Sequence, residues 1–185
     1  MCYLQSTVKR MTTPRGYGTI RRLFFKREHH VNHLPHMMHA LDEARLAAAA
    51  GEVPIGAVLV VEEVVIVRAH NRREVWQDPT AHAELIAIRE AAMQLRTWRL
   101  VGSTLYVTME PCAMCIGAAI LARIERVVFG VWDPKGGACG SVLNIPAETR
   151  LNHRIEVIGD VLEQESRELL QGFFKNLRAK ANERI

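Results

Sequence analysis

Aromatic residues are scarce in this 185-residue chain, at 6%, and its leading stretch nearly lacks acid. Residues 1–35 carry Lys9, Arg10, Arg15, Arg21, Arg22, Lys26 and Arg27 against Glu28 alone. The net charge of +4 therefore resides there and the remainder is slightly acidic, so the basic balance is weak evidence that the body binds nucleic acid over its whole surface. Long apolar runs are also missing. The longest, residues 113–122, falls well short of the roughly 20 residues a spanning helix needs, so no membrane partner is expected and the chain is expected in the cytoplasm. Cysteine is limited to Cys2, Cys112, Cys115 and Cys139. No apolar segment with a small-residue cleavage site leads the sequence, so secretion and a disulfide framework are not expected. The clustered pair instead reads as a metal or redox site in a reducing compartment.

What is present is an ordinary globular composition, 49% hydrophobic and 24% charged, enough for one domain. Residues 1–35 mix Thr, Pro, Gly, Arg and His without period and read as a disordered basic extension: a misplaced start, an RNA-contacting tail or a transit peptide. The folded domain is expected over residues 36–185. Met37, Leu41, Ala44 and Ala48 share one helical face that ends at Gly51. "PIGAVLVVEEVVIVRAHN" gives two β-branched runs joined at Glu62 and Glu63, a hairpin with unfavourable residues for a two-residue turn. "QDPTAHAELIAIREAAMQL" predicts a helix capped by Asp78 or Thr80, with a stripe through Leu85, Ile88, Ala92 and Leu95. A strand over Thr104–Thr108, a break at Pro111 and a helix from Cys112 to Ala122 follow. "ERVVFGVW" is a strand, "DPKGGACGS" a loop, and Arg154–Ile158 a short strand. A last helix has Asp160 and Glu163 as a capping pair and Leu162, Leu169, Phe173 and Leu177 on its core face. The alternation predicts a single three-layer α/β/α domain with about five strands in a mixed sheet.

Two features carry chemistry. Cys112 and Cys115, three apart at a helix start, present their sulfurs on the same side, where backbone N–H groups favour thiolates and one tetrahedral ion can be shared. The same pattern suits a thioredoxin-like redox pair or two small core residues. His82 and Glu84, two positions apart at the front of an apolar helix, alone would be a structural histidine and a first-turn acid. Taken together, His82, Cys112 and Cys115 make an open zinc site with one position left for water, and Glu84 is the acid/base beside it. Cys139 keeps a rival reading alive: as a fourth ligand it would close the site into a purely structural one.

"HAE" followed by "PCAMC" resembles the zinc nucleobase deaminases, whose signature is H-x-E…P-C-x-x-C. The wider context, "EVPIGAVLV", "HN", "DPTAHAE", "LYVTMEPCAMC", "RVVFGVWDPKGGACGS", "NHR" and "FF", is similar to that of tRNA-specific adenosine deaminases and covers roughly residues 37–176. The resemblance implies a cytidine deaminase-like fold, one zinc per subunit, a homodimer, and conversion of adenosine to inosine at the wobble position of a tRNA anticodon stem-loop. It further implies that Asn71 bonds the target nucleoside, that Asp133 and Lys135 lie against anticodon nucleotides, and that Phe174 meets the anticodon loop. Arg178, Lys180 and Arg184 would suit phosphates. A deaminase of free guanine or cytosine, or a zinc-stabilised binding module, remain the rivals. Cys139 stands where the family has a small residue, and Trp132 and Pro134 make the Asp133 loop bulkier and stiffer than in the family.

Overall fold

The computed structural model describes residues 32–182. The basic extension therefore lies, except for its last residues, outside the described part, as does Arg184. Helix α1 spans Leu34–Ala49 with Pro35 in its first turn, where a missing N–H costs nothing. Its start precedes the expected boundary at residue 36. The face carrying Met37, Ala40, Leu41, Ala44 and Ala47 is buried. Gly51, at φ +81°, terminates the helix: its N–H donates to Ala48 O (3.1 Å) and that of Glu52 to Ala47 O (3.0 Å), a Schellman ending that needs a residue without a Cβ penalty.

Strands β1 (Gly56–Val61) and β2 (Val64–His70) form the expected antiparallel hairpin. Glu62 and Glu63 both take positive φ, +48° and +63°, the left-handed pair that matches the twist of flanking strands even though Asn-Gly fits it better. Glu63 gains a partner there, His36 Nε2 at 3.2 Å. The short helix α2 (Arg73–Trp76) leads to α3 (Ala83–Gln94). Beyond these come β3 (Ser103–Met109), α4 (Ala113–Leu121), β4 (Arg126–Val131), β5 (Glu156–Ile158) and α5 (Glu163–Asn182). The five strands run in the order β2-β1-β3-β4-β5. β1 is antiparallel to both neighbours, while β3, β4 and β5 are parallel. α3 and α4 cover one face around Leu59, Leu105, Ile116 and Phe129. α1 and α5 cover the other, around Met37, Val58, Tyr106 and Val128. This is the predicted mixed-sheet α/β/α sandwich. Among the described residues, no helix is long and apolar enough to cross a membrane.

Four local expectations change. Neither Asp78 nor Thr80 caps α3; Asp78 accepts from the Thr80 amide (2.8 Å) and hydroxyl (2.7 Å), closing a turn, and His82 itself holds the cap position. The fully buried side of α3 is Ala83, Glu84, Ile86, Ala87 and Ala91; of the expected stripe, Ile88 and Ala92 are half-buried against that core, Leu85 is half-buried and Leu95 is exposed. In α5 the buried residues are Ser166 and Leu170, whereas Leu177 is exposed. A side chain at Gly130 would collide with Ser166, and this close approach of α5 to β4 sets which face turns inward. Asp160 is no cap either, because its Oδ1 accepts from Trp132 Nε1 at 2.7 Å.

Candidate active site

The parallel strands end where α3 and α4 begin, and both helices start on a residue that carries chemistry. His82 and Cys112 occupy the two N-cap positions in extended conformation, so their side chains project past the helix ends towards each other. Cys115 follows on the first turn of α4, fully buried. His82 Nδ1 lies 3.8 Å from Cys112 Sγ and 3.5 Å from Cys115 Sγ, and the two sulfurs are 3.6 Å apart. A tetrahedral ion of zinc's size would space two sulfurs about 3.8 Å apart and a sulfur and a nitrogen about 3.5 Å apart, so these residues fit a shared metal ion. The donor set, two thiol sulfurs and an imidazole, suits a borderline-soft ion such as zinc.

The charges are consistent with that use. Hydrogen bonds from Cys115 and His82 hold the Cys112 thiol far below its ordinary value, and the bond to Cys112 raises the His82 imidazole. Glu84, in the first turn of α3, is 3% exposed, and burial pushes its carboxyl up. Its Oε2 is buried with no hydrogen-bond partner. An unpartnered carboxylate oxygen is costly inside a protein, and one beside a cluster able to hold a metal ion is placed to carry a proton.

Cys139 does not join the cluster: the group whose donor atoms all lie within 4.8 Å of one another is His82, Cys112 and Cys115. Its thiol is pushed up to about 12 by burial and by Glu110, and it packs in the core. What Cys139 does contribute is its amide, which donates to Glu110 Oε1 at 2.9 Å.

Glu110 is one of two residues that sequence reasoning missed. It stands between β3 and Cys112, 3% exposed, and accepts from the amides of Asp133 (2.9 Å), Cys139 (2.9 Å) and Ser141 (3.1 Å) and from the Ser141 hydroxyl. Burial opposes its charge, but these donors outweigh it and hold the carboxyl below its ordinary range. The Gly-rich loop is thereby fastened to the turn that carries Cys112, and Gly137 is required because a Cβ would strike Glu110. Trp132 buttresses the same loop, edge-on to Phe129 at 4.7 Å and close against Gly140 and Gly159. The other missed residue is Glu52, whose Oε2 accepts from Asn71 Nδ2 at 3.3 Å. The Arg72 amide reaches Ala81 O at 3.0 Å, which brings buried Asn71 alongside His82.

The remaining sequence-predicted residues divide. Lys135 on the loop and Phe174 and Arg178 on α5 line one open cleft, together with Lys175. Asp133, half-buried, accepts from the Lys135 amide at 2.9 Å and closes a turn within its own loop. Lys180 lines a separate groove between α1 and α5 with Phe173 and Leu177.

A mixed five-stranded sheet that places a His/Cys/Cys cluster and a buried carboxylate at two converging helix starts defines a hydrolytic deaminase scaffold. Comparison with known proteins agrees. Residues 31–178 match the family model of the MafB19-like deaminases. The chain is 54% identical over 145 residues to the tRNA-specific adenosine deaminase of Bacillus subtilis, covering 78% of this chain and 90% of that protein. Among solved structures, a protein studied for A-to-I editing by tRNA:A34 deaminases at the wobble position superposes with a TM-score of 0.71 at 46% identity, covering 74% of this chain and 99% of its own. A guanine deaminase from Nitrosomonas europaea shares the fold at a TM-score of 0.63 and 24% identity, over 75% and 82% of the two chains. The chain therefore belongs to the MafB19-like deaminase family, in the group of tRNA-specific adenosine deaminases.

Proposed function

We propose that this enzyme hydrolytically deaminates the wobble adenosine of a tRNA anticodon, replacing the C6 amino group by a water-derived oxygen to leave inosine and ammonia. The observation that carries the reading is the buried, unpartnered Glu84 Oε2 beside His82, Cys112 and Cys115. Those three residues would hold one zinc ion, which supplies the Lewis acidity that makes water a nucleophile near neutral pH. Glu84 takes one proton from that water and passes it to the ring nitrogen next to C6, then takes the second proton from the hydroxyl added at C6 and delivers it to the departing amine, so that ammonia leaves as the C6 carbonyl forms. Asn71 orients the target nucleoside. An anticodon loop suits such a buried site because its bases can be splayed out at low cost, whereas a duplex hides them.

The cleft of Lys135, Phe174, Lys175 and Arg178 combines an exposed aromatic platform with three cations, the pairing that holds single-stranded RNA. Incubation with a stem-loop carrying a wobble adenosine is expected to yield inosine. Turnover of free guanine or cytosine alone would end the tRNA reading. Lys175→Glu combined with Arg178→Glu is expected to raise KM for the stem-loop and to flatten its dependence on salt, by about one unit of slope for each phosphate that the two cations neutralise. Turnover at saturation should stay near wild type.

The enzyme acts in the cytoplasm as a homodimer. Leu85, Ile88 and Ala92 of α3, with Trp98 and Leu121, form a continuous apolar face on which Trp98 is 55% and Leu121 68% exposed. A patch of this kind marks an interface, and a twofold copy of itself would cover it. Leu121→Glu is expected to give a monomer by light scattering; an unchanged dimer would place the interface elsewhere.

A further inference from the structure

Glu52 is 1% exposed, and none of the ion pairs among the described residues includes it. A buried carboxylate without a counter-charge is expensive unless every oxygen is used. Both are used here. Oε1 accepts from the Val75 amide at 2.8 Å and Oε2 from Asn71 Nδ2 at 3.3 Å. The backbone of Glu52 is itself fixed, since its amide closes the end of α1 on Ala47 O. One side chain thus joins the end of α1, the residue after β2, and α2.

The chemistry of the pair has a direction. A carboxylate only accepts, so the side of the Asn71 carboxamide that meets it must be the NH2 group. The carboxamide oxygen is then turned away from Glu52, and among the described residues Oδ1 receives no protein hydrogen bond. We infer that Glu52 is a positioning residue that locks the Asn71 carboxamide in one of its two flips, so that Oδ1 is presented as an acceptor for a hydrogen-bond donor on the target nucleoside. The inference rests on the reading of Asn71 as a nucleoside contact.

Glu52→Gln tests it with little change in volume. The amide oxygen of the new side chain can still receive the Val75 N–H, which leaves its NH2 facing Asn71. Asn71 must then flip to accept, and it offers the substrate a donor in place of an acceptor. Expected for the zinc-loaded full chain is a 10- to 100-fold fall in kcat/KM on the stem-loop, on the order of what a displaced orienting group costs, with zinc content unchanged. Adding Asn71→Asp to Glu52→Gln exchanges the two functional groups and restores an acceptor towards the substrate, so the double variant is expected to recover at least tenfold. Wild-type kcat/KM in Glu52→Gln, or no recovery in the double variant, would overturn the assignment.

An independent readout comes from the Asn71 carboxamide protons in the NMR spectrum of wild-type protein. One is expected to be shifted downfield by the carboxylate; two ordinary solvent-like resonances would refute the pair, whether or not any variant folds. If wild-type protein leaves the stem-loop unedited, the functional reading fails, while these resonances still decide whether Glu52 holds Asn71.

Discussion

Glu84→Gln is expected to lower ammonia release by about 10³- to 10⁴-fold, the upper range for loss of a positioned acid/base, while the protein stays folded and binds zinc. The substitution keeps shape and volume and removes only the ability to take up and hand on a proton. Glu84 is not part of the donor cluster, so zinc content measured by elemental analysis should match wild type. Stability should not suffer. The replaced carboxylate has an oxygen with no partner, and exchanging a buried unpaired charge for a neutral amide removes a desolvation cost. Denaturant unfolding is therefore expected to show a midpoint equal to or above wild type, a combination of dead enzyme and undamaged fold that a structural acid would not give. By contrast, His82→Ala removes one of the three proposed zinc donors and is expected to lose zinc and activity together. Activity in Glu84→Gln within tenfold of wild type would show that the proton travels by another route.

Much of this site is legible in the chain because its parts sit at helix starts. Residues at N-caps and first turns are fixed relative to one another by local geometry, so "HAE" and "PCAMC" place their side chains before any tertiary packing is considered. The strands are legible for a similar reason: "GAVLVV", "TLYVTM" and "RVVFGV" are buried on both faces and read as continuous apolar runs. The inward face of α3 escapes sequence reasoning because the helix is apolar nearly all round. Its core packing runs through Ala83, Ala87 and Ala91, while Ile88 and Ala92 of the predicted stripe lie only half-buried against that core and Leu95 is exposed. In α5 the inward position belongs to a small polar residue, Ser166, facing Gly130, and periodicity of large apolar residues carries no trace of that. Glu52 and Glu110 are invisible for a third reason. Their partners are backbone amides, one hydroxyl and one carboxamide, 19 to 31 residues away, and a motif specifies side chains, not the N–H groups a carboxylate will collect.

Glu110 supports the second large effect. Glu110→Gln is expected to destabilise the protein by about 3–5 kcal/mol, seen as a fall in Tm on the order of 10 °C. The carboxylate receives four donors on two oxygens. An amide retains one accepting oxygen and turns an NH2 towards donors already aimed at it, leaving buried N–H groups unpaired. Loosening of the loop follows, because the amides of Asp133, Cys139 and Ser141 share this single anchor. Lys135 then loses its fixed place opposite Phe174 and Arg178, so the KM for a stem-loop should rise more than kcat falls. Cys112 also feels the change through its ladder pairing with Gly137, and weakened zinc retention under chelator is expected as well. Ser141→Ala is the graded control. It deletes only the hydroxyl donor and leaves the three amides in place, so a loss of about 1 kcal/mol with near-normal KM is expected. Equal damage from both variants would mean that the hydroxyl, and not the amide cradle, holds the loop.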